Sequence, residues 1–292
     1  MADEKIANRT AVALGNFDGM HVGHMAVLRA AKGFESKGLT PLALLFDEHS
    51  LKAITGTAPP MLMTADERNR IIAENGLKIK TIVFNEIKDL SPQDFVEKIL
   101  VGRFGARAVC CGYNYRFGKN ASGNAQTMKE ICDRLGLECR IAGEVDVDSR
   151  AASSTEIRKF IESGEIEKAN KMLGHPFGFC TRVIDGDKRG RTLGFPTINQ
   201  ELPDGLVLPK FGVYQADVTV DGEHYKGVAN IGRRPTVGSE KVLSETYIID
   251  FHKNIYGEYV DIRPVRFIRP ERKFSSFDEL AKQIKSDAKE VR

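Results

Sequence analysis

The sequence predicts an α/β protein in which a doubly wound parallel sheet is followed by a small antiparallel β-barrel and a terminal helix. Its 292 residues allow about two domains of ordinary size. Between residues 10 and 142, short apolar runs alternate with amphipathic segments, a pattern typical of a parallel sheet wrapped by helices. After Gly174-His175-Pro176 the pattern changes to extended runs separated by turns. We therefore expect one domain at residues 1–174 and a second at 175–292.

The composition is that of an ordinary globular protein, with 41% hydrophobic and 28% charged residues. No stretch approaches about 18 consecutive apolar residues, so we expect no membrane span. The 43 basic and 40 acidic residues leave a formal net charge of only +3. This charge is too small to produce the positive electrostatic potential that a polyanion-binding protein needs. Small-molecule substrates are therefore expected as partners, rather than nucleic acid or a membrane, and the sequence leaves the oligomeric state open.

Cysteine usage and the first residues bear on the cellular compartment. The five cysteines are odd in number and include no C-x-x-C spacing, which argues against a disulfide framework and a four-ligand zinc site. The segment MADEKIANRT is polar and lacks the apolar core of a secretory signal. Both features predict a protein of the reducing cytoplasm.

Local signals locate the elements of the first half. Helical patterns begin at Met25, Thr64 and Ser91. Thr64-Ala-Asp-Glu67 can form a capping box, and Ser91-Pro92 supplies an N-cap followed by proline. Two further helices are expected, and Gly164 ends the first of them. The expected strands are 11–14, 42–46, 81–84 and 106–110, and the two further helices are 155–162 and 165–173.

The second half reads as antiparallel strands. Asp221-Gly222 separates the extended run 214–220 from a second run that ends at Ile231, a strong signal for a two-residue hairpin. A second strand pair is expected at 246–251 and 259–267, which together with the flanking segments suggests a partly closed barrel. The last segment, 276–291, reads as a helix with Ser276-x-x-Glu279 as its capping box.

A glycine-rich turn follows the first expected strand and opens a helix. It reads Gly15-Asn-Phe17-Asp18-Gly19-Met-His21-Val-Gly23-His24. Backbone N–H groups and the helix dipole at such a turn suit a polyphosphate. His21 and His24 lie on one side of the helix start and can donate to phosphate oxygens as charge redistributes. A fragment of a metal site or simple surface histidines are the alternatives, and the glycine spacing favours nucleotide binding.

The pattern G-x-F-D-G-x-H-x-G-H resembles the signature of the HxGH nucleotidyltransferases, which have a doubly wound α/β domain. These enzymes attack the α-phosphate of a nucleoside triphosphate and release pyrophosphate. The resemblance implies catalytic roles for His21 and His24. It also implies nucleotide-binding roles for four residues of the turn: Gly15, Phe17, Asp18 and Gly23.

Two further segments are similar to motifs of the bacterial FAD synthetase module. The first is Cys111-Gly-Tyr-Asn114-Tyr-Arg116-Phe-Gly118, and the resemblance alone implies that Asn114 and Arg116 bind flavin. Without it, they read as a turn residue and a solvated charge. The second is Ser153-Ser154-Thr155-Glu-Ile-Arg158, whose hydroxyls and arginine at a helix start form an anion cradle. Plain N-capping is the alternative for this segment, and the two roles are compatible.

The second half contains a basic, glycine-rich loop that enters a short extended run. It reads Gly186-Asp-Lys188-Arg-Gly190-Arg191-Thr-Leu-Gly194-Phe195-Pro196-Thr197-Ile198-Asn199. Side chains alternate in an extended run, so Thr197 and Asn199 share one face and Ile198 points to the other. A hydroxyl and an amide oxygen on one face can hold Mg²⁺ with its ATP phosphates. A basic turn entering an ordinary strand is the alternative interpretation.

This block resembles the riboflavin kinase module, whose corresponding motif reads P-T-A-N. Ile198 stands where alanine is usual, and the alternation predicts that the change falls away from the metal, so we expect activity to survive. The resemblance implies that Thr197 and Asn199 bind metal. It also implies ATP-phosphate contacts from five residues of the loop: Gly186, Lys188, Gly190, Arg191 and Gly194.

Glu245, at the start of an expected strand, resembles the general base of the kinase family. A carboxylate suits that role, because a primary alcohol must lose its proton as it attacks the γ-phosphate. An exposed strand carboxylate is the alternative. The stretch 268–274 also matches the family and is expected to pack near the flavin, with Arg272 as a flavin contact.

The resemblance spans about residues 10–290 and implies a bifunctional riboflavin kinase and FAD synthetase. Riboflavin and ATP would give FMN in the second domain, and FMN and ATP would give FAD and pyrophosphate in the first, each with Mg²⁺. The rivals are a one-activity descendant, a flavin- or nucleotide-sensing regulator, and a tRNA-binding protein with a synthetase-like H-x-G-H. Intact motifs in both halves disfavour the first two, and the even charge and the length disfavour the third.

Overall fold

The computed structural model describes residues 9–47, 52, 56–186, 194–236 and 239–291. Its backbone contacts divide the chain into two compact units. The first comprises Met1–Pro59 and Ala65–Ser153, and the second comprises Pro60–Thr64 and Ser154–Arg292. The domain boundary at residue 174 stays a prediction. By these contacts, the chain after Ser153 groups with the second unit.

The first unit is built around a parallel sheet. Its five strands pair in the order β3-β2-β1-β4-β7, and every pairing is parallel, which confirms the predicted sheet. All five residues of β1 are buried, as expected for a parallel strand with both faces covered. Two short antiparallel pairs, β5-β6 and β8-β9, complete the strands of this unit that the structure describes. The strands are β1 (Thr10–Leu14), β2 (Thr40–Phe46), β3 (Lys78–Ile82), β4 (Ala106–Gly112), β5 (Arg116–Phe117), β6 (Gly123–Asn124), β7 (Glu138–Ala142), β8 (Asp146–Val147) and β9 (Arg150–Ala151).

Helices connect these strands. Ser91 caps α4 as predicted, because its Oγ accepts a hydrogen bond from the Asp94 N–H at 3.0 Å. The first helix begins three residues before the predicted Met25, since His21 is its N-cap. Among the described residues of this unit, the helices are α1 (Val22–Lys32), α2 (Ala65–Glu74), α3 (Phe84–Ile87), α4 (Pro92–Asp94) and α5 (Ala125–Arg134), with a π-helix at Phe95–Arg103 and 3₁₀ turns at Gly33–Lys37 and Lys119–Ala121.

Two edge strands differ from the sequence prediction. The strand expected at 81–84 lies at Lys78–Ile82, and Phe84 instead begins α3. The strand β7 was not predicted. Both strands lie at edges of the sheet and bury few side chains, so an apolar run does not mark them.

The second unit contains a closed six-stranded barrel in the order β10-β11-β14-β13-β12-β15. Val220 pairs with Glu223, and the two intervening residues, Asp221 and Gly222, have φ of 49° and 80°, so the predicted two-residue hairpin is confirmed. The strands are β10 (Phe179–Ile184), β11 (Thr197–Glu201), β12 (Gly212–Val220), β13 (Glu223–Thr236), β14 (Ser239–Ile248) and β15 (Tyr259–Arg269).

The second predicted strand pair is wrong. Strand β14 pairs with β11 and β13, whereas β15 pairs with β10 and β12, so β14 and β15 do not form a ribbon. The connection between them, residues 249–258, is too long for a tight hairpin turn to fix their pairing. The barrel is also fully closed rather than partly closed, because β10 pairs with both β11 and β15.

In the described part of this unit, the structure has three helices: α6 (Ser154–Ser163), α7 (Ile166–Leu173) and α8 (Phe277–Val291). Asn170 ties α7 to the barrel. Its Nδ2 donates to the Pro264 carbonyl at 3.1 Å, and its Oδ1 accepts from the Phe177 N–H at 2.7 Å. These bonds explain why α7 groups with the barrel. Gly164, with φ 84°, follows α6 as predicted.

The terminal helix is capped differently from the prediction. Ser276 Oγ accepts from the Glu279 N–H at 3.2 Å, as a capping box requires. The Glu279 carboxylate, however, accepts from the N–H and hydroxyl of Ser275, at 2.9 and 2.8 Å, rather than from Ser276. An ion pair of 2.8 Å between Arg269 and the buried Asp287 fixes α8 to β15.

Candidate functional site

The loop from β1 to α1 lies where the strand order of the sheet reverses. β1 is flanked by β2 on one side and β4 on the other, and the remaining strands extend outward in both directions. Open parallel sheets bind ligands outside the carboxyl ends of their strands at this reversal. Residues 15–21 follow the carboxyl end of β1, so the predicted phosphate-binding turn occupies that position.

Two buried non-glycine residues of this loop have left-handed backbone conformations. Phe17 has φ 52° and Met20 has φ 44°, and neither is exposed to solvent. Such a conformation costs a non-glycine residue roughly 1–3 kcal/mol, and burial of the two side chains offsets the cost. Gly15 lies against the Phe17 ring, where a Cβ would be 3.2 Å from a ring carbon. Burial of Phe17 and Met20 therefore anchors the loop that holds Asp18 to the core of the first unit.

His21 and His24 stack on each other at the start of α1. Their ring centroids are 3.7 Å apart and their planes differ by 21°. His21 Nδ1 accepts hydrogen bonds from the N–H groups of Gly23 and His24, at 3.2 and 3.3 Å. A Cβ on Gly23 would lie 3.0 Å from the His21 ring, so glycine leaves room for this arrangement. Because Nδ1 of His21 accepts, its neutral ring carries the proton on Nε2, which can donate to a ligand.

Burial keeps both imidazoles neutral near pH 7. It lowers the pKa of His21 to about 4. Burial, and then the neighbouring His21, hold the pKa of His24 well below its usual value. His24 Nδ1 is buried and has no hydrogen-bond partner among the residues that the structure describes. The pair can therefore supply neutral hydrogen-bond donors without the cost of burying a cation.

The segment predicted to bind flavin follows β4, the parallel neighbour of β1, so it leaves the sheet at the same edge. Asn114 and Arg116 are exposed. Tyr115 and Phe117 alternate with them and stack with ring centroids 5.8 Å apart while packing against the core. The two polar side chains are thus held on the surface by an anchored aromatic pair.

The predicted anion cradle lies at a helix start. Ser154 begins α6, Ser153 precedes it, and Thr155 lies in the first turn. Arg158 Nε donates a hydrogen bond to the Pro60 carbonyl at 2.6 Å, which orients the guanidinium group. Phosphate binding by these residues stays a prediction.

The second unit has a cavity of about 390 Å³ between the barrel wall and α8. Strands β11, β13 and β14 provide polar side chains to it, and Leu280 and Ile284 of α8 provide apolar ones. Arg272, the predicted flavin contact, also lines the cavity, and its guanidinium lies 4.6 Å from the Phe274 ring centroid. A cavity of this size that combines apolar side chains with convergent polar groups is typical of a small-molecule site.

Three polar side chains form a row across this cavity. Asn199 is the direct cross-strand partner of Glu245, and Glu245 is the partner of Asn230. Direct partners have Cβ atoms about 5 Å apart, so the three side chains share one face. Asn199 is 6% exposed, and its Oδ1 is buried with no partner within the described part of the chain. An unpaired amide oxygen beside a carboxylate is suited to a metal or substrate contact.

The residues around Asn199 are placed as the alternation predicts. Thr197 lines the same cavity, whereas Ile198 lines a second cavity of about 290 Å³. A Cβ on Gly186 would lie 2.2 Å from Asn199 Nδ2, so only glycine allows the backbone to approach so closely. Gly194 has φ 79°. Three of the predicted phosphate contacts lie outside the described residues: Lys188, Gly190 and Arg191.

Asn230 and Glu271 are two cavity residues that no sequence motif had singled out. Asn230 Nδ2 donates to Glu271 Oε1 at 3.4 Å, and both line the cavity. A Cβ on Gly232 would lie 2.1 Å from the same Glu271 oxygen. A polar residue inside the apolar run 227–231 was the available signal for Asn230. Glu271 lies in the stretch 268–274 that was expected near the flavin, but its contact with Asn230 depends on how the chain folds after β15.

Among the described residues, no helix has both the length and the apolar character needed to cross a membrane. Two family models match the chain in the order of its two units. The FAD synthetase model matches residues 3–156, and the riboflavin kinase model matches residues 173–292.

Curated relatives match over nearly the entire chain. The bifunctional riboflavin kinase/FMN adenylyltransferase of Listeria monocytogenes is 37% identical over 287 residues, which cover 96% of this chain and 91% of that protein. The protein of the same name from Bacillus subtilis is 35% identical, with coverage of 97% and 92%. The one from Escherichia coli K12 is 33% identical, with coverage of 94% and 90%.

A crystal structure described as a macrolide-efflux protein from Streptococcus pneumoniae is also similar, with a TM-score of 0.89 and 31% identity, covering 97% of this chain and 94% of that one. The expected pairing of two activities is confirmed by the order of the two family models and by the full-length relatives. The chain belongs to the bifunctional riboflavin kinase/FMN adenylyltransferase family, whose members use ATP to convert riboflavin to FMN and FMN to FAD.

Proposed function

We propose that the first unit transfers the adenylyl group of ATP to FMN at the β1–α1 loop. A phosphate oxygen of FMN attacks the α-phosphate directly and pyrophosphate leaves, so no covalent nucleophile is needed. His21 and His24 donate to the α-phosphate as negative charge develops there. The stacked, neutral pair at the reversal of the strand order is the observation that supports this site.

The other predicted residues of the adenylyl transfer reaction have binding roles in this proposal. Asn114 and Arg116 contact the flavin. The nucleotide contacts are Gly15, Phe17, Asp18, Gly23, Ser153, Ser154, Thr155 and Arg158.

In the second unit, we propose that riboflavin binds in the cavity between the barrel and α8. Glu245 takes the proton of the riboflavin hydroxyl as its oxygen attacks the γ-phosphate of ATP. The adjacent Asn199, with its unpaired Oδ1, is the observation that supports this reaction centre. Arg272 contacts the flavin from the same cavity.

Thr197 and Asn199 fit Mg²⁺, because a hydroxyl and an unpaired amide oxygen on one strand face are the hard ligands that this ion prefers. When bound, Mg²⁺ would neutralise charge on the ATP phosphates. Gly186 and Gly194 allow the backbone to approach those phosphates. Lys188, Gly190 and Arg191 have the same phosphate-binding role in this proposal.

We assign the second cavity to the adenine base of ATP. Thr197 lines both cavities, so a nucleotide in one can extend its phosphates toward the other. Phe251, Ile255 and Tyr256 give this cavity the apolar and aromatic lining that suits a heterocyclic base. The proposal also includes a cytoplasmic location and small-molecule substrates, with no role for nucleic acid or a membrane.

The test is incubation of the purified chain with riboflavin, ATP and Mg²⁺, followed by chromatography of the flavins over time. FMN is expected first and FAD later, and FAD is expected directly from added FMN. Both steps should stop when EDTA removes Mg²⁺. Accumulation of FMN without FAD would contradict the site in the first unit, and rates that EDTA leaves unchanged would contradict the metal assignment.

A further inference from the structure

Some buried polar side-chain atoms of the first unit have no hydrogen-bond partner among the described residues. In the described part of the first unit, such side-chain atoms belong to His24, Arg68 and Asn69. Buried polar atoms in folded proteins nearly always have a partner, so an unpaired one indicates a group that a ligand or water completes. The same feature marks Asn199, the proposed metal ligand of the second unit.

Arg68 lies on α2 and its charge interacts with the loop that holds the histidine pair. Burial lowers the pKa of the Arg68 guanidinium, and the Asp18 carboxylate opposes that effect by raising it. Asp18 lies three residues before His21 in the β1–α1 loop. A guanidinium stays protonated in proteins, so Arg68 is a partly buried cation whose charge interacts with Asp18 of this loop.

A partly buried guanidinium is costly unless its N–H groups are paired. Its Nε is buried and has no partner among the described residues, which leaves at least one donor unsatisfied. The planar fork of arginine matches the spacing of two phosphate oxygens, and hydrogen bonds between charged groups are the stronger kind. A phosphate group in this position would satisfy the donor and the charge together.

We propose that Arg68 binds a phosphate group of a substrate in the adenylyl transfer site. This inference rests on the proposed location of that site at the β1–α1 loop. In the reaction, a bond forms between an FMN phosphate oxygen and the α-phosphorus, and the bond to the β-phosphate oxygen breaks as pyrophosphate leaves with the electron pair. Arg68 donates hydrogen bonds to negatively charged oxygens and transfers no proton.

Two phosphate sources share this chemistry: the triphosphate of ATP and the monophosphate of FMN. The experiment compares Arg68→Gln and Arg68→Lys in the full chain. Steady-state FAD formation gives kcat and the KM of each substrate, and calorimetry measures binding of inorganic pyrophosphate with Mg²⁺. FMN formation from riboflavin reports on the second unit and shows that each variant is folded and active there.

Arg70→Gln is the matched control. Arg70 lies two residues further along α2, is exposed, and pairs with Glu74 at 2.8 Å. An exposed pair of this kind contributes little to stability, so its loss should leave both activities unchanged. The control separates the role of the Arg68 side chain from a general effect of removing a positive charge from α2.

We expect Arg68→Gln to lower kcat/KM for FAD formation roughly tenfold to a hundredfold, with FMN formation unchanged. Arg68→Lys should keep part of the activity, because it keeps the charge but loses the planar fork. Weaker pyrophosphate binding would assign Arg68 to the ATP triphosphate. A raised KM for FMN, with pyrophosphate binding unchanged, would assign it to the FMN phosphate.

The proposal is overturned if Arg68→Gln forms FAD at the parent rate. It is also overturned if FAD formation falls while pyrophosphate binding and both KM values stay at parent values, since Arg68 would then only support the loop. If Arg68→Gln does not fold, parent-like FAD kinetics in Arg68→Lys overturn it, whereas a loss confined to phosphate binding supports it. A parent chain that forms no FAD would instead contradict the proposed function.

Discussion

Asn199 of β11 lies directly opposite Glu245 of β14, and both side chains line one cavity. The residue proposed to hold the metal of ATP and the residue proposed to accept the proton of riboflavin are therefore neighbours on two adjacent strands. Phosphoryl transfer depends mostly on positioning and charge stabilisation. The barrel wall provides the positioning, because the strand register fixes the distance between Asn199 and Glu245.

Glu245→Gln is expected to slow FMN formation by a factor of about 10² to 10⁴, because the amide keeps the shape of the side chain but cannot accept the proton. The KM for riboflavin should stay close to the parent value, since the loss falls on the transition state. Steady-state kinetics with riboflavin measure both effects, and added FMN should still be converted to FAD.

Glu201→Gln is the control for this variant. Glu201 lies on β11, is partly exposed and pairs with Lys241 at 2.6 Å. If Glu245→Gln resembles Glu201→Gln in its rate of FMN formation, Glu245 is an ordinary strand carboxylate. Failure of Glu245→Gln to convert added FMN would show that the two activities depend on each other.

Gly186→Ala should reduce riboflavin kinase activity by displacing Asn199. The new Cβ would lie 2.2 Å from Asn199 Nδ2, closer than any contact allows, so the amide or the backbone must move. We expect a higher Mg²⁺ concentration at half-maximal FMN formation, measured by Mg²⁺ titration. Gly143→Ala is the control, because a Cβ there meets no atom within 4 Å. Equal Mg²⁺ dependence in the two variants would remove the support for metal binding by Asn199.

His24→Ala should reduce FAD formation roughly 10²- to 10³-fold, the usual loss for one donor to developing negative charge. FMN should accumulate from riboflavin, because the kinase site lies in the other unit. Chromatography of both flavins from one reaction measures the two effects together. His224→Ala should behave as the parent, because His224 is an exposed residue of β13 next to the hairpin turn. Undiminished FAD formation by His24→Ala would reject its catalytic role.

The stability of the chain should depend on pH through His21. Burial lowers its pKa from 6.5 to about 4, so between these values the unfolded state binds more protons than the folded state. The contribution of neutral His21 to the free energy of unfolding is complete above the pKa of the unfolded state. It is lost as the pH falls toward the pKa of the folded state, and the total loss is at most about 3 kcal/mol. His21→Asn keeps an N-cap acceptor but does not titrate. Urea midpoints should therefore fall less steeply with decreasing pH in this variant, and identical slopes would contradict the prediction.

A fragment of residues 175–292 should fold and phosphorylate riboflavin, and a fragment of residues 154–292 should be more stable. The longer one keeps α6 and α7, including Asn170, whose Oδ1 accepts from the Phe177 N–H. It also keeps the contact between α7 and β15, and Met172 and Leu173 of α7 are both buried. Thermal unfolding and FMN formation compare the fragments. Equal melting temperatures would show that α6 and α7 contribute nothing to the barrel.

The sequence by itself located the features whose causes lie within a few residues. Ser91 caps its helix, Gly164 ends another, and Asp221-Gly222 turns a hairpin, because each signal acts on the backbone next to it. The same holds for the His21 motif, which predicted a strand, a turn and a helix in that order. The edge strands β3 and β7 were not correctly predicted, because an edge strand buries too few side chains to produce an apolar run in the sequence.

Only the tertiary structure decided which distant residues meet. The pairing of β14 with β11 brings Glu245 beside Asn199, and the sequence prediction had paired β14 with β15 instead. The interaction of Arg68 with Asp18 likewise depends on how α2 packs within the first unit. Strand pairing and helix packing are settled by burying apolar faces over the entire unit, so residues far apart in sequence become neighbours without any local signal of it.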